Sequence, residues 1–285
     1  ERMTSRLGNS LLWVYFVLMV VFLFLPLAIL VLFAFNSGTT PTLPIQGFTT
    51  KWFTDAFSNT DLTSALVRSA GIGVIASILA TVMGIMAAIG LNAKRVPGES
   101  VAIGALLLPL VVPYISLAVG MLILLQALKL KNALWEIALG HSVIALPFAL
   151  LVILPRLRSL DGSLNEAARD LGASDFAAFR LITFPLLLPA LLSSFIICFS
   201  TSFDEFAIAS FLYPSGQPTY PVFLYGGARS PAILPQLIAV GTLVIAVSLL
   251  IVGLSELGRR WAERRIEGRT SASVEASNAD NLATI

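Results

Sequence analysis

The chain has 285 residues, 57% of them hydrophobic and 12% charged, with a net charge of +2 and a mean hydropathy of +0.89. A soluble domain is about a quarter charged, so this is an integral membrane protein, and apolar runs this long are helices rather than the alternating strands of a barrel. A single Cys (Cys198) and a single His (His141) exclude an intrachain disulfide and leave no basis for a Cys/His metal cluster.

Six spans are expected, in an all-α architecture. The first covers residues 11–35, behind a short polar N-terminus (1–10), and carries Pro26 as a kink; it is too long for a cleavable signal. A Thr/Pro/Gly-rich loop follows. In it FTTKWFTDAF reads as a short interfacial helix with Trp52, Phe53 and Phe57. The second span, 62–91, carries Gly71, Gly73, Gly84 and Gly90, a density that suits close helix contact. The third, 101–128, is broken by Pro109 and Pro113, and the fourth is 134–154 with Pro147 inside it. The fifth is 182–212 and the sixth 232–257. Between them lies a Pro/Gly/Tyr-rich loop containing Tyr220, Tyr225 and Arg229. The tail 259–285 is basic, then rich in Ser, Ala and Asn and without periodicity, which predicts disorder. Cys198 reads as a small core residue, and His141 and Glu136 as interfacial groups.

Between spans four and five sits a polar, amphipathic stretch, SLNEAARDLGASDFAAFRLITFP (163–185). Ser163 and Glu166 form a capping-box pattern, Gly172 supplies a left-handed stop, and Ser174 starts a second short helix. Two short polar helices between membrane spans present a surface to a partner in water, or lie as a connector on the headgroups. Thirteen of the 18 Lys and Arg residues fall on the side of this loop, which places the loop and both termini in the cytoplasm.

Glu166-Ala167-Ala168, Gly172, Ile182 and Pro185 in this spacing resemble the EAA loop of ABC-transporter permease subunits, with Phe184 where that family usually has Leu. The resemblance extends over about residues 11–258 and is greatest to the spermidine/putrescine-type group, which LPLVVPYIS in the third span also resembles. It implies the type I importer fold, a coupling loop at about 159–184, and a place in the bacterial plasma (inner) membrane. It also implies a second, homologous or identical permease, a dimer of ATPase subunits carrying ATP and Mg, and an external solute-binding protein. Lipid is then the remaining partner, and nucleic acid is none.

The residues agree on what this chain does not do. None of its four Lys residues follows Gly, so there is no Gly-Lys-Ser/Thr phosphate loop, and a lone His leaves little for general-base chemistry. The chain is therefore read as a translocating subunit with no catalytic residue, no metal and no cofactor of its own.

Asp204 and Glu205 interrupt the fifth span. A carboxylate at that depth costs a few kcal/mol, so it should face a cavity or a partner. Read as a continuous helix, the two side chains point about 100° apart, so one of them faces the pathway. Asp204 is favoured, with Glu205 structural; Phe203, Phe206, Tyr213 and Tyr220 are the aromatic neighbours of a cation-attracting site. An interhelical salt bridge fits Asp204 as well; Arg68, otherwise an interfacial charge, could pair with Asp61 or Asp204. The solute is then a small cation or amine, a polyamine or an opine-like compound. The alternative from another class is an ion-coupled secondary transporter or channel, in which Asp204 is the ion site.

Overall fold

A computed structural model describes residues 2–92, 97–130 and 134–250, with side chains from residue 11 onward. Among them every regular element is helical, and an isolated bridge pairs Asn36 with Phe48. In order the helices are α1 (Arg2–Ala34), α2 (Lys51–Ser58), α3 (Thr60–Leu91), α4 (Glu99–Leu107), α5 (Tyr114–Ala127) and α6 (Leu134–Arg158). They continue as α7 (Gly162–Asp170), α8 (Asp175–Ala178), α9 (Phe184–Phe203), α10 (Ala207–Leu212), α11 (Tyr220–Gly227) and α12 (Leu234–Leu250).

The chain divides into two compact units, one of residues 57–229 and one of the segments on either side of it. In the flanking unit, α1 is helical from Arg2, without a boundary at residue 11, and runs through Gly8 into the apolar stretch. Its apolar side chains from Leu11 to Leu25, Val20 apart, stay exposed, as suits a helix bathed in lipid. Trp52 departs from the interfacial expectation. It is 8% exposed, and its Nε1 donates to the Asn36 carbonyl at 2.7 Å, so the ring closes the loop after α1.

The central unit is built on α3, α6 and α9, which pack against one another. Of the apolar window of α6, 67% is buried, against 39% for α3 and 28% for the segment that includes α9, so α6 is the hub. Asn59 caps α3, its Oδ1 accepting from the Asp61 and Leu62 N–H groups at 3.2 Å. Two of the four glycines predicted to mediate contact do so. A Cβ on Gly84 would lie 2.7 Å from the Ala149 Cβ, and one on Gly73 3.0 Å from the Phe199 ring; Gly71 and Gly90 face open space. Gly84→Ala is expected to destabilise the unit by about 1–3 kcal/mol, since a backbone-anchored neighbour cannot yield. Gly90→Ala should not, and thermal unfolding of the detergent-solubilised protein separates the two.

Four helices are long and apolar enough to cross a membrane, and α4 with α5 makes a fifth, bent by 96° at the predicted prolines. The sixth expected span is described only as far as Leu250, so its end and the tail 259–285 lie outside the described residues. The fifth span requires correction, because it is not one helix. It opens with a π turn (Phe179–Thr183), continues as α9, breaks at Asp204–Phe206 and resumes as α10. Pro185 explains the π turn: it has no N–H for the Leu181 carbonyl and its ring crowds that carbonyl, so the ladder widens.

Candidate functional site

Two places gather the residues singled out from sequence. The first is the polar loop from Asp161 to Pro185. Its helix α7 is not opened by a Ser163–Glu166 capping box. Asp161 is the N-cap, accepting from the Ser163 N–H at 2.9 Å, because an Asp two residues upstream of Ser163 captures that N–H first. This contact holds the Asp161 carboxyl below the usual carboxylate range. The cap is thus intact above that range and weakens only as pH falls through the lowered value. Glu166 consequently lies mid-helix and exposed, with no capping duty.

The end of α7 follows the expected pattern. Gly172, at φ +86°, donates to the Arg169 carbonyl (2.9 Å), and Ala173 to the Ala168 carbonyl (3.0 Å), a Schellman turn. Ser174 caps α8 by accepting from the Ala177 N–H at 3.3 Å. An Arg169–Asp175 ion pair (2.8 Å) crosses the turn, and the Thr183 hydroxyl donates to Asn165 Oδ1 (3.2 Å), tying α7 to the foot of α9. Glu166 and Ala167 are exposed, Ala168 and Ile182 half-buried, and Pro185 sits in the first turn of α9. Leu171 (90% exposed) and Phe176 flank Gly172, so this surface carries apolar as well as charged groups.

The second place is the break between α9 and α10. An open cavity of ≈ 500 Å³ is lined there by Tyr114, Ser200, Thr201, Asp204, Glu205, Phe206 and Ala207. The two carboxylates have opposite surroundings. Asp204 is the C-terminal cap residue of α9 and is exposed to the cavity, with no ion-pair partner among the described residues. Glu205 turns inward, 6% exposed, and accepts from the Ile208 N–H (2.9 and 3.1 Å) and the Ala209 N–H (3.2 Å), capping α10. What separates the two side chains is the end of a helix, not 100° of helical rotation.

His141, expected at an interface, is 1% exposed, with Nε2 3.1 Å from Glu205 Oε2 and Nδ1 2.7 Å from Ser202 Oγ. Glu136 is also buried, at 3% exposure. Arg68 pairs with neither Asp61 nor Asp204; its Nε donates to the Pro218 carbonyl at 2.9 Å.

Of the proposed aromatic neighbours, Phe206 lines the cavity, in ring contact with Tyr225 at 4.9 Å. Phe203 belongs instead to a ladder of rings, Phe195–Phe199–Phe203 along α9 and then Tyr220 of α11, spaced 6.5, 5.7 and 6.0 Å. Tyr220 is buried, which pushes its phenol up to about 12, and Tyr213 stands outside the cavity. Sequence reasoning missed Tyr114, although it directly follows the Pro113 that breaks the third span.

Residues 80–268 match the family model described as "Binding-protein-dependent transport system inner membrane component". The chain belongs to this family. It is an ABC importer permease. Curated relatives include the Escherichia coli K12 spermidine/putrescine transport system permease protein PotC, 30% identical over 83% of this chain and 89% of its own. The Haemophilus influenzae PotC is 32% identical over 83% of this chain and 91% of its own. The putative 2-aminoethylphosphonate permease PhnV of Salmonella typhimurium is 28% identical over 87% and 94%. Among solved structures, a bacterial ABC transporter that imports the acidic polysaccharide alginate superposes with a TM-score of 0.70 at 15% identity, over 89% of this permease and 96% of that chain. That likeness fixes the fold alone.

Proposed function

We propose that this permease forms half of the pathway of an ATP-driven importer for a small cationic or amine-bearing solute, of the polyamine kind. The observation that carries the reading is the asymmetry at the α9–α10 break. Glu205 is engaged by backbone N–H groups and faces His141, while Asp204, without an ion-pair partner among the described residues, faces an open cavity beside Tyr114 and Phe206. A carboxylate next to aromatic faces attracts an ammonium group and gives a neutral or anionic solute no favourable contact. Relatives named as spermidine/putrescine and putrescine permeases support the same class.

A second permease completes the pathway, an external binding protein delivers the solute, and two ATPase subunits bind Mg-ATP on the side of the Asp161–Pro185 loop. The excess of Lys and Arg on that side supports a cytoplasmic placement of the loop and of both termini. The loop is the coupling element, with Glu166, Ala167, Ala168 and Gly172 at the ATPase and Ile182 and Pro185 at the foot of the fifth span. Its Schellman turn, Arg169–Asp175 pair and Asn165–Thr183 hydrogen bond give it the stiffness to transmit displacement.

The test is a competition panel in cells lacking other polyamine importers and expressing the assembled transporter. Polyamines and amine-bearing solutes are expected to suppress uptake of a labelled polyamine, and neutral sugars to leave it unchanged. Competition by sugars and not by amines would remove the cationic reading.

A further inference from the structure

His141 is a buried polar side chain that translocation, as described so far, does not use. It sits two turns into α6, the most enclosed helix, and reaches the place where the fifth span loses its helix. Three contacts converge there. Gly140 lets α6 approach α10 so closely that a Cβ would stand 2.7 Å from Ile208 Cγ2. His141 Nε2 lies 3.1 Å from Glu205 Oε2, off the line of a straight hydrogen bond, and Nδ1 meets Ser202 Oγ at 2.7 Å. Glu205 in turn accepts the N–H of Ile208, the residue whose side chain packs on Gly140.

We propose that His141 is a positioning residue of the pathway: it holds the Glu205 carboxylate inward as the cap of α10, so that Asp204 alone presents negative charge to the cavity. The inference deepens the cationic-pathway reading and rests on it for its consequence in transport. The physical logic is desolvation. A carboxylate buried with backbone N–H donors and an imidazole is stable there, and the same carboxylate without the imidazole is better solvated in the adjoining cavity, whose wall it already forms. Ser202, on the last turn of α9, orients the ring, so both sides of the break are tied to α6 through one side chain.

The test reads local charge rather than transport. In a Cys198→Ala background of the assembled transporter, Ser200→Cys places a thiol in the cavity wall. It is labelled in membrane vesicles with cationic and anionic thiol reagents of equal size. His141→Ala is expected to move the cationic-to-anionic rate ratio upward by about threefold or more, because a second carboxylate enters the cavity. His141→Gln should restore the parent ratio, since its amide can donate to Glu205 and accept from Ser202. A loss of folded protein would lower the amount labelled, not the ratio. Should His141→Ala fail to accumulate, Ser202→Ala, which removes only the bond orienting the ring, is expected to shift the ratio in the same direction by less. A parental ratio in the alanine variant that accumulates overturns the proposal. Asp204→Asn in the same background is read separately: an unchanged ratio there defeats the cationic-pathway reading and leaves the His141 result to stand or fall by itself.

Discussion

Asp204→Asn is expected to raise the KM for a cationic solute about tenfold or more, with insertion into the membrane and association with the ATPase unchanged. The substitution keeps shape and removes charge. At 5 Å and an effective dielectric constant near 20, an ammonium–carboxylate attraction is worth roughly 3 kcal/mol, and about 1.4 kcal/mol of it suffices for the tenfold effect. Because Asp204 caps nothing through its side chain and has no ion-pair partner among the described residues, its loss should leave the fold intact. Glu205→Gln makes the contrast. That carboxylate accepts from two backbone N–H groups and faces His141, so the variant should lose folded protein as well as uptake. Kinetics of uptake alongside the yield of assembled transporter distinguish the two, and unaltered kinetics in Asp204→Asn would return it to a structural role.

Gly172→Val is expected to abolish ATP-driven uptake, by at least an order of magnitude, while the spans still insert and ATP is still hydrolysed. Gly172 has φ +86° and no atom within 4 Å of a built Cβ, so there is room for a side chain and the whole penalty is conformational. A left-handed backbone costs an L-residue roughly 1–2 kcal/mol, and a β-branched one is a genuine outlier there. That is enough to unwind a turn held by two backbone hydrogen bonds and braced by the exposed Arg169–Asp175 pair and the Asn165–Thr183 bond. Gly172→Asn, which tolerates this conformation, should keep most of the uptake. Hydrolysis and uptake falling together in the valine variant would indicate that the ATPase no longer docks, and normal uptake would remove the loop from coupling.

The elements that local pattern controls were legible in the sequence. Pro109 and Pro113 break the third span, Gly172 ends α7, and Ser174 starts α8, because in each case one residue's backbone chemistry decides. The errors arose where two local signals competed or where the answer lay in tertiary contact. Ser163 and Glu166 fit a capping box, but Asp161 lies two residues upstream and takes the Ser163 N–H. Asp204 and Glu205 look alike in sequence, and hydropathy runs straight through them. Their separation into a cavity group and a buried cap depends on His141 and Ser202, of which His141 is 64 residues from Glu205 along the chain. No periodicity signals such a pairing. Likewise Gly84 and Gly90 are indistinguishable in sequence, and only the approach of α6 at Ala149 and Ile153 to the first separates them.

The most direct measurement is uptake into proteoliposomes that hold this permease with its second permease, ATPase and binding-protein partners. A labelled polyamine is supplied outside, with and without Mg-ATP inside, in the absence of ion gradients. The account predicts polyamine accumulation only with internal ATP, and no accumulation when the binding protein is omitted. Accumulation driven by an imposed ion gradient without ATP would contradict it.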